Sequence, residues 1–307
     1  MAAGITKAII DLGSNTFNLL IATVDKSNLY IHIQEERPVK LGKGSFMNGL
    51  RTLQSEAIER AMNTLNEFNT IIKSYNVNEV HAFGTSALRD AINGEAFINE
   101  AFINTGIMIK IISGDEEAAL IYEGVKCCGG LNEYPALIVD IGGGSVELIL
   151  ADNTGILWKR SYNLGAVRMM EKFPFSDPAK VNEINRLEEY LKTELSDFNK
   201  VINQYKPIVF VGCSGCFESI RDILEPMLME CHNLPYKFIS LNDFYFLYAN
   251  LKSSTINERK SINGLVDFRV ETIVTALVIT QVIMSLANTV KFLQCDYAMK
   301  EGILWTH

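Results

Sequence analysis

The sequence predicts an α/β chain built from two related domains, each on a mixed β-sheet. Three observations point there. The chain has 307 residues, more than one typical domain. A short signature, an apolar run, an Asp and a glycine turn followed by a second apolar run, occurs twice, at Asp11 and at Asp140. After each occurrence, strand-like segments give way to helical periodicity in a similar order.

In the first half, residues 7–12 form a short apolar run, 17–24 a second, and Leu29, Ile31 and Ile33 alternate. Three short strands joined by tight turns are the simplest reading. Residues 54–75 carry Ile58, Ala61, Leu65, Phe68 and Ile72 at helical spacing. A strand at 79–83, a helix near 93–103, a strand at 107–112 and a helix from 114 follow. Ser113-x-x-Glu116 reads as a capping box for that last helix. The predicted order is βββαβαβα.

Residues 127–135, CCGGLNEYP, read as a connector, and the pattern then restarts. Strands are expected at 136–141, 145–151 and 155–162. A long helix is expected over 180–203, striped by Ile184, Leu187, Leu191, Leu195, Phe198 and Ile202. A strand at 207–211 precedes GCSGC. Helices are expected near 216–230, 241–253, 256–263 and 268–287, then a strand at 290–294 and a C-terminal helix. The predicted division is 1–126, completed by 296–307, and 127–295, with the functional site in a cleft between the two.

Composition narrows the function. With 48% hydrophobic and 21% charged residues the chain reads as soluble and globular, and its net charge of -8 argues against broad nucleic-acid binding. The most apolar stretch, 272–287, is short for a membrane span and is interrupted by Thr280 and Gln281, so a buried helix is expected and no membrane partner. No secretory leader is read, so the six cysteines are expected to be reduced thiols in a cytoplasmic protein. Cys213-Ser-Gly-Cys216 is formally C-x-x-C but reads as small residues beside a glycine turn, and no second pair is spaced for zinc.

The glycine turns carry the chemistry. Consecutive backbone amides in such a turn form an anion-binding concavity, which side chains at Gly142, Gly143 and Gly144 would obstruct. Ser145 there, and Ser14, Asn15 and Thr16 in the first turn, add side-chain donors. Asp11 and Asp140 cannot bind phosphate directly, but can hold Mg2+ or its waters. Glu147 is a candidate second ligand; the alternative is an outward-facing strand residue. Neither a P-loop nor a dinucleotide fingerprint fits, because these glycines lie between strands. Asp115, Glu116 and Glu117 open a helix, where acids are favoured by the first-turn amides, and any of them could polarise water. Arg89, just after a strand, could neutralise phosphate.

Together these stretches resemble the exopolyphosphatase and guanosine pentaphosphate phosphatase family, part of the actin-like superfamily. The matching segments are IDLGSNTFNLLIA at 10–22, LGKG at 41–44, GTSALRDAIN at 84–93, ISGDEEAALIYEGV at 112–125 and IVDIGGGSVELI at 138–149. The resemblance implies two actin-like (ribonuclease H-like) domains with an interdomain cleft. It implies Glu117 as the catalytic base with Arg89, and Asp140 and Glu147, with Asp11 nearby, as metal-associated acids. Phosphate would be bound by Ser14, Asn15, Thr16, Lys40, Arg89, Gly142, Gly143, Gly144 and Ser145. Mg2+, with Mn2+ as its substitute, would be the cofactor. Inorganic polyphosphate is the expected substrate, guanosine pentaphosphate the alternative, and a homodimer the expected assembly. A sugar kinase or a non-catalytic phosphate sensor are the rival classes.

Four positions depart from the family pattern. Lys40 and Lys300 stand where arginine is usual, and Cys213 and Cys216 stand where threonine is usual. Lysine keeps the charge but loses the planar fork. The C-terminal domain of longer members is also absent from these 307 residues.

Overall fold

The computed structural model describes residues 4–25, 28–47, 50–225 and 234–306. The chain divides into two compact units, Met1–Glu123 with Met299–His307, and Gly124–Ala298.

In the first unit, β1 (Ile5–Leu12), β2 (Thr16–Asp25) and β3 (Asn28–Pro38) form an antiparallel meander, and β1 runs parallel to β6 (Glu79–Gly84), which runs parallel to β7 (Ile109–Ile111). The order across this sheet is β3-β2-β1-β6-β7. Helix α1 (Ser55–Ser74) buries Leu65 and Phe68, and α3 (Gly94–Thr105) buries Phe97, in one core with Ile10, Leu12 and Phe17. Two features were not expected: a small hairpin of β4 (Phe46–Met47) and β5 (Leu50–Arg51), and a short helix α2 (Ser86–Asp90), which carries Arg89. α4 (Gly114–Cys127) follows β7, and α12 (Met299–Thr306) returns to this unit, packing on β1 and β2.

The second unit repeats the plan. β8 (Ala136–Ile141), β9 (Val146–Ala151) and β10 (Ile156–Tyr162) form the meander, and β8 runs parallel to β11 (Val209–Cys213), which runs parallel to β13 (Lys291–Cys295). β12 (Tyr236–Ile239) adds an antiparallel edge strand, giving β10-β9-β8-β11-β13-β12. That strand escaped prediction because it has four residues and only Ile239 is buried, so no alternation is visible. Every residue of β8 and β9 is buried, as expected of strands covered on both faces.

The helix expected over 180–203 is two helices, α6 (Val181–Glu194) and α7 (Ser196–Tyr205). Leu195 leaves the helical region, with φ -92° and ψ 16°. The apolar stripe runs through the break because both helices face the same core, so periodicity did not register it. α5 (Ala166–Lys172) was also unforeseen: seven residues are too few to show a period.

α8 (Gly215–Leu224), α9 (Leu241–Lys252) and α10 (Ile256–Lys260) occupy expected helical segments; residues 226–230 of the predicted 216–230 helix lie outside the described residues. The predicted 268–287 helix begins as a 3-10 turn at Asp267–Arg269, and α11 proper is Ile273–Ala287. α11 is a buried helix, and Thr280 is accommodated by donating its hydroxyl to the Ala276 carbonyl at 2.9 Å. Among the described residues, no helix is long and apolar enough to cross a membrane.

Candidate active site

Each unit's signature folds as a hairpin with the same turn. Gly13 donates its N–H to the Thr16 carbonyl at 3.1 Å, and Gly142 donates to the Ser145 carbonyl at 3.0 Å. A Cβ on Gly13 would meet the Thr16 carbonyl oxygen at 2.8 Å, so that turn requires glycine. Asp11 pairs with Asn18 across β1 and β2, and Asp140 pairs with Glu147 across β8 and β9. Directly opposed residues of an antiparallel ladder share a face of the sheet. Asp140 and Glu147 therefore stand side by side on one face.

The carbonyls of both turns are occupied by a neighbouring segment. In the first unit, Val39 and Lys40 donate N–H groups to the Asn15 carbonyl (3.0 and 2.7 Å), and Gly42 donates to the Ser14 carbonyl at 2.8 Å. This brings the LGKG loop against the turn, with Lys40 held in the left-handed region at φ 52°. In the second unit, Ala166 donates to Gly142, Val167 and Arg168 to Gly143, and Gly165 to Gly144, at 2.9–3.3 Å. The Arg168 Nε adds a bond to the Gly144 carbonyl at 2.7 Å. A trans peptide points its N–H opposite to its C=O. Carbonyls turned toward the start of α5 therefore turn the N–H groups of Gly143, Gly144 and Ser145 the other way, as a row. Such a row is an anion-binding concavity. By the same argument, the N–H groups of Asn15 and Thr16 point away from the LGKG loop.

The carboxylates are held differently. Glu147 is only 1% exposed and accepts the Ser161 hydroxyl at 2.6 Å, so it is not an outward-facing strand residue. Asp140, 8% exposed, accepts the Ser214 hydroxyl at 2.6 Å. Asp11 accepts from the Asn18 amide at 3.3 Å. Burial pushes the Asp11 carboxyl up to about 6; the Lys300 ammonium opposes this, and Glu301 reinforces it. Lys300 is itself buried and pairs with Glu301 at 3.3 Å.

Three acids open α4, and their surroundings separate them. Glu116 is exposed and closes the capping box: it accepts the Ser113 N–H (2.8 Å) and hydroxyl (2.9 Å), and its own N–H donates back at 3.1 Å. Those bonds to Ser113 hold its carboxyl below the usual range, with Lys110 contributing. Asp115 is exposed. Glu117 is 9% exposed and pairs with Arg89, whose Nη1 lies 3.2 Å from Oε2 and also donates to the Ile112 carbonyl at 2.9 Å. Sequence reasoning assigned Arg89 to phosphate; the structure adds that it braces Glu117.

Cys213 and Cys216 are both buried, and burial pushes the Cys216 thiol up to about 12. Such a thiol is protonated at neutral pH and suits packing, in line with the reading of small residues beside a turn.

Residues 20–307 match the Ppx/GppA phosphatase family over almost the whole chain. The chain belongs to the Ppx/GppA phosphatase family. A solved exopolyphosphatase from Cytophaga hutchinsonii superposes with a TM-score of 0.93 at 32% identity, covering 98% of this chain and 97% of that one. The bifunctional 3-dehydroquinate synthase/phosphatase of Fusobacterium nucleatum is 34% identical over 271 residues, 83% of this chain. A guanosine-5'-triphosphate,3'-diphosphate pyrophosphatase of Aliivibrio fischeri is 28% identical over 298 residues, 97% of this chain. The chain spans 38% and 58% of the lengths of these two curated relatives. The two mixed-sheet α/β units described above are thus the Ppx/GppA architecture.

Four residues around the Ppx/GppA signatures were missed in the sequence. Ser161 stands opposite Glu147 in the β9–β10 ladder, so the alternation of β10 could have found it. Ser214 lies inside GCSGC, where only cysteines and glycines drew notice. Gly165 and Arg168 had no visible signal, because their partner is the backbone of the turn 20 and more positions earlier.

Proposed function

We propose that the chain hydrolyses the terminal phosphoanhydride of inorganic polyphosphate, releasing orthophosphate. The observation that carries this reading is the opposed, buried pair Asp140 and Glu147 beside a turn whose amides are aligned for an anion. Among the described residues, no group of three or more His, Cys, Asp or Glu side chains is arranged to hold a metal ion. Two carboxylates nonetheless fit Mg2+, which keeps several waters and takes its remaining ligands from substrate phosphates. Asp140 and Glu147 would hold it, with Asp11 as the equivalent acid of the first hairpin; bound there, Mg2+ neutralises phosphate charge.

The protein's own groups account for the rest. The amides of Gly143, Gly144 and Ser145 stabilise phosphoryl oxygens as charge redistributes over them. Ser14, Asn15, Thr16 and Lys40 bind neighbouring phosphates, Lys40 as a point charge. Glu117 orients a water and takes its proton as oxygen attacks phosphorus and the anhydride P–O bond breaks; the shortened chain leaves as its phosphate anion. Arg89 fixes Glu117 in one rotamer and balances the phosphoryl charge. Glu117 rather than its neighbours takes this role because Glu116 is committed to the helix cap and Asp115 is exposed.

A second substrate, guanosine pentaphosphate, presents the same anhydride and is favoured by the likeness to the Aliivibrio fischeri pyrophosphatase. Orthophosphate release with Mg2+ from polyphosphate and guanosine pentaphosphate, measured side by side for wild type and Glu117→Ala, separates these readings. Release from polyphosphate that the substitution abolishes is expected. Preference for pentaphosphate moves the activity to alarmone turnover. No release from either removes the hydrolase reading.

A further inference from the structure

Ser214 occupies a backbone conformation that serine avoids. Its φ of 69° and ψ of -179° lie in a region populated almost only by glycine. Glycine would adopt these angles without strain, and the very next residue is Gly215. That glycine has its own reason: a Cβ on it would approach the Arg269 Nη2 to 2.3 Å. Serine has therefore been placed where glycine would be less strained.

The side chain explains the choice. Ser214 is the N-cap residue of α8, a position where serine commonly accepts a hydrogen bond from the first turn. Here the hydroxyl makes no cap bond. It donates instead to Asp140 Oδ2 at 2.6 Å, while the Ser214 carbonyl takes the Phe217 and Glu218 N–H groups. β11 runs parallel to β8 with Cys213 beside Asp140, so the strained step after Cys213 is what turns the hydroxyl back onto the carboxylate.

We propose that Ser214 is a positioning residue: it locks the rotamer of Asp140, the carboxylate opposite Glu147, in the orientation that holds a divalent cation. This rests on the proposed metal role of Asp140. Residues that orient a metal ligand in this way typically contribute about 10–100-fold in metal affinity.

Two substitutions and two readouts test it. Ser214→Gly removes both the hydroxyl and the strain; Ser214→Ala removes the hydroxyl and keeps the strain. Mn2+ affinity is measured by electron paramagnetic resonance on the intact chain without substrate, and stability by thermal melting. The expected result is a loss of about 10–100-fold in Mn2+ affinity for both variants. Ser214→Gly should nonetheless melt above Ser214→Ala, because both lose the bond to Asp140 and only glycine relieves the strain. For a purely structural serine Mn2+ affinity would follow stability, so Ser214→Gly would bind Mn2+ more tightly than Ser214→Ala. Mn2+ affinity within about twofold of wild type in Ser214→Gly, or no Mn2+ binding by wild type, overturns the proposal. If wild type releases no phosphate from either substrate while the variants still lose Mn2+, the hydrolase reading falls and the positioning role stands.

Discussion

Replacing Gly165 by alanine isolates one structural contact. Gly165 has φ -60° and ψ 155°, a backbone conformation alanine adopts freely, so no backbone strain is introduced. The consequence is steric. An added Cβ would lie 2.4 Å from the Gly144 carbonyl carbon and 2.5 Å from the Gly143 carbonyl carbon and the Gly144 nitrogen. These are backbone atoms of the glycine turn, with no rotamer to yield. Reaching ordinary contact requires a separation of about 1 Å between the start of α5 and the turn. Overpacking of this kind costs about 1–3 kcal/mol, which lowers the melting temperature of a unit this size by about 2–4 °C per kcal/mol. The same displacement moves the proposed phosphate-binding amides, and misplacement by about 1 Å costs on the order of 100-fold in rate. Melting and orthophosphate release are the assays. Gly155→Ala is the control: its Cβ enters open space, so it should be neutral or slightly stabilising. A Gly165→Ala protein that melts and turns over like the Gly155→Ala control would refute the reasoning.

Two further outcomes follow from groups outside that contact. Asp11→Asn, tested by melting in a metal chelator, should stabilise the protein at about pH 8 and have little effect below about pH 4; the folded carboxyl lies near 6 against an ordinary 3.8, so its burial cost appears as pH rises through that interval and reaches about 3 kcal/mol above it. An effect equal at both pH values would contradict the assignment. Glu116→Ala should cost about 0.3–1.5 kcal/mol through loss of the capping box, yet leave orthophosphate release unchanged, whereas loss of release would show that Glu116 acts in the chemistry as well as in the cap.

The local signals of this protein were strong wherever one strand or helix determines its own pattern. The D-x-G hairpins, the α1 stripe, the Ser113–Glu116 cap and the buried α11 are read from residues a few positions apart, and short-range periodicity and capping carry that information. The repeat of the hairpin signature also indicated the doubled mixed-sheet plan, because a glycine turn between two buried strands is a rare and specific pattern. Elements that depend on partners left little trace. α5 is anchored by the carbonyls of Gly142, Gly143 and Gly144, β12 by the edge of β13, and the break at Leu195 is hidden under a continuous apolar stripe.

The candidate site divides along the same line. Residue types and spacing singled out Asp11, Asp140, Glu147, Arg89 and the acids of α4, since charged residues beside glycine turns or interrupting apolar runs stand out in one dimension. What each carboxylate touches belongs to the tertiary structure. Only strand pairing set Glu147 opposite Asp140, only the bond from Arg89 separated Glu117 from Glu116, and only the β8–β11 contact brought the Ser214 hydroxyl to Asp140. The physical reason is range: hydrophobic period and turn chemistry act between near neighbours, whereas burial and hydrogen bonding at this site are made by residues as far apart as 74 positions in the chain.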